Sequence, residues 1–186
     1  MTPRLVCVSG GIGSGKTETS SKLAAHLGWE RASFGDYVRS VAAQRGLPED
    51  RSALQQLGEQ LIGADLRAFC LAALEHGGWS AGRGLVVDGV RHVEALEMIR
   101  RLAAPLEVFF IYLSTPEDVR LGRLKSRAGH DAQQLTELEK HSTEIQVKSL
   151  HEVADIVLDG TLTVEMLVAK AAEYLSALPE LAPNSR

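Results

Sequence analysis

Short strand-like segments alternate with segments of helical spacing along the whole chain. Five segments predict strands: RLVCVS at 4–9, RASF at 31–34, GLVVDG at 84–89, EVFFIYLS at 107–114 and ADIVLDG at 154–160. Strands that alternate with helices are typical of α/β proteins, in which helices cover both faces of a parallel sheet. The pattern therefore predicts an α/β fold with a five-stranded, mostly parallel sheet.

The spacing of apolar residues also predicts where the helices lie. Helices are expected at about 15–27, 36–44, 116–127, 135–151 and 164–178, and residues 50–76 are expected to be helical in two pieces separated near Gly63. Gly28 is expected to end the first helix, and Thr163 to cap the last one. We interpret residues 1–178 as one domain, with 179–186 as a flexible tail.

Composition and charge narrow the class of protein. The 186 residues are 45% hydrophobic and 24% charged, with a net charge of −4, which is ordinary for a soluble globular protein and disfavours a nucleic-acid partner. Cys7 and Cys70 lack CxxC spacing, as expected in a reducing cytosol. The first residues show neither a targeting segment nor a membrane span, so we expect a cytoplasmic protein with no membrane partner. The oligomeric state stays open.

The loop after the first strand carries the strongest chemical signal. It reads GGIGSGKT, and its members are Gly10, Gly11, Ile12, Gly13, Ser14, Gly15, Lys16 and Thr17. Glycines let backbone N–H groups turn inward around phosphate oxygens, and the following helix adds the positive end of its dipole. Lys16 would reach the β- and γ-phosphates of ATP, and Thr17 would hold Mg²⁺. A glycine-rich turn that binds nothing is the alternative, which the strand–loop–helix context disfavours.

Absent motifs indicate what is done with the phosphates. The only asparagine is Asn184, so the Asn-Lys-x-Asp segment of common GTPases is missing, and there is no LSGGQ-like segment of transporter ATPases. Asp88 can hold Mg²⁺ through water, but Gly89 follows it where mechanical ATPases place a water-activating glutamate. The pattern favours transfer of phosphate to a bound acceptor over hydrolysis.

Three further segments resemble the nucleoside-monophosphate kinase group of P-loop kinases. SFGDYVRSVA at 33–42 and VVDGVRHVEALEMIR at 86–100 resemble acceptor-binding segments of adenylate kinases, and RSALQQLGEQLIGADLR at 51–67 resembles phage-type deoxynucleoside monophosphate kinases. The loop and ADIVLDGTLTVEML also look like dephospho-CoA kinase and an archaeal family near it. The resemblance spans about 5–170. It implies a three-layer P-loop kinase fold with a helical acceptor-binding insertion at about 36–76 and a short lid at about 120–135.

The resemblance also implies a set of acceptor-binding residues. Asp36 would bind the acceptor hydroxyl or act as a base, although it also suits the N-cap of a helix at 37–44. Arg39 and Arg91 would hold an acceptor phosphate, because guanidinium groups bind phosphate bidentately. Gln55, with Gln56 beside it, would read a base edge, and a surface position is the alternative.

Three arginines follow the fourth strand, and a glycine follows the fifth. Arg120, Arg123 and Arg127 share one face of a helix and resemble lid arginines that close over the transferring phosphates, with a solvated basic face as the alternative. The next predicted helix carries Lys140, His141 and Lys148 where adenylate kinases have further arginines. Gly160, with Thr161, would lie near the adenine, or would simply make a strand-to-helix turn.

These observations together predict an enzyme that moves the γ-phosphate of Mg-ATP to a deoxynucleoside or nucleoside monophosphate. Asp88 is assigned both to the metal and to the substrate side of the site. Dephospho-CoA and a modified nucleotide stay open as acceptors. A regulatory module that binds ATP without transferring its phosphate is the alternative from another class.

Overall fold

The computed structural model describes residues 2–128 and 149–179, with side chains up to Ser126 in the first range. Its sheet has five parallel strands: β1 (Leu5–Gly10), β2 (Glu30–Ser33), β3 (Leu85–Asp88), β4 (Val108–Ser114) and β5 (Ile156–Asp159). Their order across the sheet is β2-β3-β1-β4-β5. The five-stranded parallel sheet predicted from the sequence is confirmed.

Helices connect the strands and lie on both faces of the sheet. They are α1 (Lys16–Leu27), α2 (Phe34–Gln44), α3 (Arg51–Ala64), α4 (Leu66–His76), α5 (Val93–Ala103), α6 (Glu117–Ala128) and α7 (Val164–Ala177). The helix predicted at 135–151, the lid beyond 128 and the tail from 180 fall largely outside the described residues. Within the described ranges, no helix combines the length and the apolar character needed to span a membrane.

Alternation along the strands divides the core into two layers. Leu5, Cys7 and Phe110 point into the layer under α2, α3, α4 and α5, whereas Val6 and Val8 point into the layer under α1 and α7. Successive side chains of a strand face opposite sides of a sheet, so each strand feeds both layers. Strands buried on both faces explain why the strand segments are almost continuously apolar.

The start of α2 differs from the expectation. The helix begins at Phe34, and the N-cap is Ser33, whose Oγ accepts a hydrogen bond from the Asp36 backbone N–H at 3.2 Å. The alternative that Asp36 caps a helix at 37–44 is therefore wrong, because the helix begins before Asp36. The Asp36 carboxylate is not occupied by capping, and it lies in the first turn, where the helix dipole favours a negative charge.

The boundary between α3 and α4 also differs from the expectation. Gly63 lies inside α3, and the break falls at Asp65, whose Oδ1 accepts a hydrogen bond from the Ala68 backbone N–H at 2.9 Å. An aspartate that caps a new helix interrupts the path more effectively than a glycine that a helix can absorb. The predicted helix ends at Gly28, which is left-handed, and Thr163, which caps α7, are confirmed.

Gly77 lies where the chain leaving α4 passes directly over β2. A Cβ added to Gly77 would lie 2.3 Å from the Ala32 Cα, so nothing larger than glycine fits unless the backbone moves. We expect Gly77→Ala to lower the free energy of unfolding by roughly 2–3 kcal/mol. Urea denaturation measures this change.

Gly63→Ala is the matched control, because an added Cβ there meets no atom within 4 Å. Gly63 lies in an exposed helical position, where alanine should raise the free energy of unfolding by about 0.5–1 kcal/mol. Equal effects of the two substitutions would contradict the close packing of α4 on β2.

Candidate functional site

The strand register brings three chain segments together at the carboxyl edge of the sheet. Asp88 on β3 pairs with Val8 on β1 and with Ser33 on β2. The glycine-rich loop leaves β1, the segment of Arg91 leaves β3, and α2 leaves β2. In open α/β sheets, ligands bind outside the carboxyl ends of the strands. The predicted phosphate loop, Asp88 and the predicted acceptor residues therefore face a common edge.

The glycine-rich loop has the backbone of a phosphate cradle. Gly10, Gly13 and Gly15 have φ angles of 154°, 79° and 90°, which non-glycine residues rarely adopt. A Cβ on Gly10 would lie 2.7 Å from the Ser14 Oγ and 2.8 Å from the Leu113 carbonyl oxygen. Among the described residues no side chain caps α1 after Gly15, and the amide groups at the start of a helix suit an anion.

The side chains of the loop fit a nucleotide phosphate chain and its cation. The Lys16 ammonium lies 3.3 Å from the Gly11 carbonyl oxygen, which folds it over the loop. Thr17 is exposed in the first turn of α1. The Ser14 hydroxyl is buried and has no hydrogen-bond partner among residues 2–126 and 149–179. The backbone cradle and the lysine suit the oxygens of a phosphate chain, and a hydroxyl oxygen suits Mg²⁺.

Arginines of α6 hold the loop from the side of its carbonyl groups. Arg120 donates to the Ile12 and Thr115 carbonyl oxygens, at 3.2 Å each. Arg123 donates to the Ser14 carbonyl oxygen at 3.3 Å and to the Gly160 carbonyl oxygen at 2.9 Å. Arg123 thereby ties the phosphate loop to the end of β5.

Arg127 and Gly160 are the other two residues predicted to belong to this region. Arg127 belongs to α6, but its side chain lies outside the described part. Gly160 lies so close to the end of β4 that an added Cβ would come 1.9 Å from the Thr115 Oγ1. A larger residue would displace the Thr115 side chain, so packing favours glycine there whether or not a ligand binds.

A chain of four alternating charges runs from β3 to α2. Arg31 donates through Nη1 to the Asp88 Oδ2 and through Nη2 to the Asp36 Oδ2, at 3.1 Å each. The Asp36 Oδ1 accepts a close hydrogen bond from Arg39. Asp88 is only 3% exposed, and its Oδ1 has no hydrogen-bond partner in the part of the chain that the structure describes.

The charge state of Asp36 follows from this arrangement. Partial burial by itself would raise its pKa, but hydrogen bonds from Arg39 and Ser33 and the positive charges of Arg39 and Arg31 hold the pKa of Asp36 below its ordinary value. Asp36 is therefore a carboxylate that binds donors well and accepts a proton poorly.

Arg31 is the site residue that sequence reasoning missed. Its segment was predicted as a strand, and a charged residue at the start of a short strand was the available signal. Position alone could not show that its side chain joins Asp36 and Asp88, because that depends on the pairing of β2 with β3.

The remaining predicted residues lie around this network. Arg91 is half-buried between β3 and α5, directly before His92, the N-cap residue of α5. Burial lowers the pKa of His92. Gln55 is half-buried on α3, which packs against α2. Arg91 therefore follows the end of β3 by three residues, and Gln55 lies on the helix next to α2.

Comparison with known proteins agrees with this geometry. A family model described as an AAA domain matches residues 6–147. A UPF0200 protein of Aeropyrum pernix is 31% identical over 90% of this chain and 89% of its own length, and one of Methanosarcina barkeri is 27% identical over 93% and 95%.

Solved kinase structures share the fold. An unliganded sugar kinase from Janibacter sp. HTCC2649 has a TM-score of 0.60 at 25% identity, covering 94% of this chain and 95% of that one. A shikimate kinase from Aquifex aeolicus has a TM-score of 0.60 at 19% identity, covering 92% and 96%.

The parallel sheet and the phosphate loop at its carboxyl edge define a P-loop kinase-like protein, whose fold supports nucleotide phosphotransfer. The chain belongs to the AAA-domain family and to the UPF0200 proteins. The resemblance of the chain to P-loop kinases is confirmed at this level.

The loop geometry predicts that Gly13 cannot be replaced without loss of nucleotide binding. A Cβ on Gly13 would lie 2.8 Å from the Arg120 carbonyl oxygen of α6, in addition to the cost of its positive φ. We expect Gly13→Ala to weaken ADP binding about tenfold or more, measured by titration calorimetry.

Gly122→Ala on the exposed side of α6 is the control, since an added Cβ there meets nothing within 4 Å. This variant should bind ADP as the unmodified chain does. An unchanged ADP affinity in folded Gly13→Ala would contradict the role given to the loop.

Proposed function

We propose that this chain transfers the γ-phosphate of Mg-ATP to a nucleoside or deoxynucleoside monophosphate. The observation that carries the proposal is the charge network beside the phosphate loop, in which Arg39, Asp36, Arg31 and Asp88 follow one another from α2 to β3. The network lies at the carboxyl edge of the sheet, which is where ligands bind in open α/β folds.

The guanidinium of Arg39 favours a phosphorylated acceptor over a neutral alcohol. At this edge Arg31 and Arg39 form ion pairs with the carboxylates of Asp36 and Asp88. Arg39 has a half-exposed side chain, with 51% of it accessible, so its guanidinium can bind phosphate from solvent.

Asp36 suits the role of an orienting group better than that of a base. Two arginines hold its carboxylate in the ionised form, which makes it a strong hydrogen-bond acceptor for a sugar hydroxyl. An acceptor phosphate oxygen is already ionised at neutral pH and needs no base. Of the two roles that the sequence left open for Asp36, the structure supports hydroxyl binding.

The nucleotide side is assigned to the loop and to β3. The loop amides and Lys16 would hold the phosphates, and Thr17 and Asp88 would hold Mg²⁺. Bound Mg²⁺ supplies charge neutralisation between the phosphate groups. An acceptor oxygen forms a bond to the γ-phosphorus while the bond to the bridging oxygen of ADP breaks, and ADP leaves with the electron pair.

The arginines of α6 are assigned to the negative charge on the phosphate that is transferred. Arg123 already donates a hydrogen bond to a backbone carbonyl group of the phosphate loop. Arg127 lies four residues further along the same helix. We assign both to stabilising the negative charge that spreads during transfer. Positioning and charge then account for most of the catalysis.

The proposed transfer predicts turnover that depends on an acceptor. In a coupled ADP-release assay with Mg-ATP, one common ribo- or deoxyribonucleoside monophosphate should stimulate ADP release well above ATP alone. Dephospho-CoA belongs in the same panel as a competing acceptor. Binding of ATP without stimulation by any acceptor would contradict the proposal and favour a module that only senses nucleotide.

Lys16→Ala should reduce the stimulated rate at least about a hundredfold, because Lys16 is the cation of the loop. Lys22→Ala on the same helix is the matched control. Lys22 is exposed and pairs with Glu165 and Glu18, so its loss should leave turnover unchanged. Unchanged turnover in Lys16→Ala would contradict the mechanism.

A substitution at Arg39 separates the acceptor side of the site from the nucleotide side. Arg39→Gln should raise the KM for the accepted monophosphate roughly tenfold to a hundredfold, with little change in the KM for ATP, because a charged hydrogen bond to phosphate is lost. Steady-state kinetics with each substrate varied in turn measures this.

Arg45→Gln, at the exposed carboxyl end of the same helix α2, is the control and should change neither KM. If Arg39→Gln raised the KM for ATP as much as the KM for the monophosphate, Arg39 would not be an acceptor ligand.

A further inference from the structure

Arg31 occupies a position between the two halves of the proposed site. Along β2 and β3, Arg31 pairs with Val86, and Ser33 pairs with Asp88. Val86 faces the core layer under α1 and α7, so Asp88, two residues further on, projects from the same face. The side chains of Arg31 and Asp88 therefore meet on the side of the sheet that α1 covers, and α1 begins with Lys16 and Thr17.

The buried carboxylate of Asp88 depends on Arg31. Only 4% of its side chain is exposed, and a buried carboxylate requires a paired cation. Arg31 supplies this pairing at Oδ2 alone, while Oδ1 stays buried without a hydrogen-bond partner among the described residues. The arrangement holds the carboxylate in one orientation and leaves one oxygen for a further ligand.

The same guanidinium reaches the acceptor side. Its second terminal nitrogen binds the Asp36 Oδ2, and Asp36 in turn binds Arg39. A planar guanidinium can hold two carboxylates at fixed positions, whereas the ammonium of lysine is a single point charge on a flexible stem. A change at Asp36 therefore alters how Arg31 engages Asp88.

We propose that Arg31 is a positioning residue that couples the acceptor half of the site to the nucleotide half. It does so by sharing one guanidinium between Asp36 and Asp88. This inference rests on the proposed function and adds to it a link between the two substrate sites. Coupling of this kind is a free energy, and it is reciprocal between the sites.

A double-mutant cycle read on nucleotide binding tests the coupling. The dissociation constant of Mg-ADP is measured by titration calorimetry for the unmodified chain, Asp36→Asn, Arg31→Lys and the double variant. Removing the Asp36 charge leaves the Arg31 charge to be balanced by Asp88 alone, which lowers the attraction of Asp88 for a cation. Asp36→Asn should therefore weaken Mg-ADP binding, and by at least about threefold more with Arg31 present than in the Arg31→Lys background.

Metal-free ADP provides the internal reference. In EDTA, all four proteins should bind ADP within about twofold of one another, because the loop amides and Lys16 are unaltered. Lys22→Gln, which removes an exposed ion pair elsewhere on α1, should change neither dissociation constant. Thermal denaturation shows that each variant is folded, and the cycle is repeated with Arg31→Gln, for which the same loss of coupling is expected.

Additive effects of the two substitutions would overturn the proposal. Additivity means that Asp36→Asn weakens Mg-ADP binding as much in the Arg31→Lys background as it does with Arg31 present. Because the cycle requires neither an acceptor nor turnover, this outcome is distinct from failure of the proposed function. If no monophosphate were accepted, the proposed phosphate transfer would be refuted, but the cycle measured on Mg-ADP binding could still be interpreted. Additivity would refute the role of Arg31 and leave transfer unaffected.

Discussion

The in-register parallel pairing of β1, β3 and β2 is the constraint on which the site depends. It sets Val8, Asp88 and Ser33 side by side, so that the phosphate loop, a buried carboxylate and the first turn of α2 begin at neighbouring points. A shift of one residue would turn the Asp88 carboxylate to the opposite layer of the core, away from α1. Such a shift would be unfavourable because it would separate the buried Asp88 carboxylate from Arg31.

The loop and the charge network meet different physical requirements. The loop needs backbone freedom and close approach, which Gly10 and Gly13 supply, and α6 supports it through Arg120 and Arg123. The network needs charges that are desolvated but balanced, and Arg31 and Arg39 provide that balance for Asp88 and Asp36. Rigid elements carry both parts, which suits chemistry that relies on positioning.

Related proteins share the fold but do not identify the acceptor, which has to be inferred from the chemistry of the site. The Aeropyrum pernix relative matches nearly the whole chain, and the sugar kinase and shikimate kinase share its architecture. One fold can host many functions, so the acceptor is argued from the residues of the site. In this chain the segment after β2 carries Asp36 and Arg39, and the half-exposed guanidinium of Arg39 is the reason for proposing a phosphorylated acceptor.

The sequence by itself determined the five parallel strands, the helices other than α5 in the described residues, and the phosphate loop, because apolar spacing and glycine positions are local signals. It also indicated Asp36, Arg39 and Asp88 through short motifs. Only the tertiary structure decided that Ser33 caps α2, that Asp65 separates α3 from α4, and that Arg31 joins two carboxylates. Caps compete locally within one or two residues, and the contacts of Arg31 arise from strand pairing across 57 residues of chain, which no local pattern encodes.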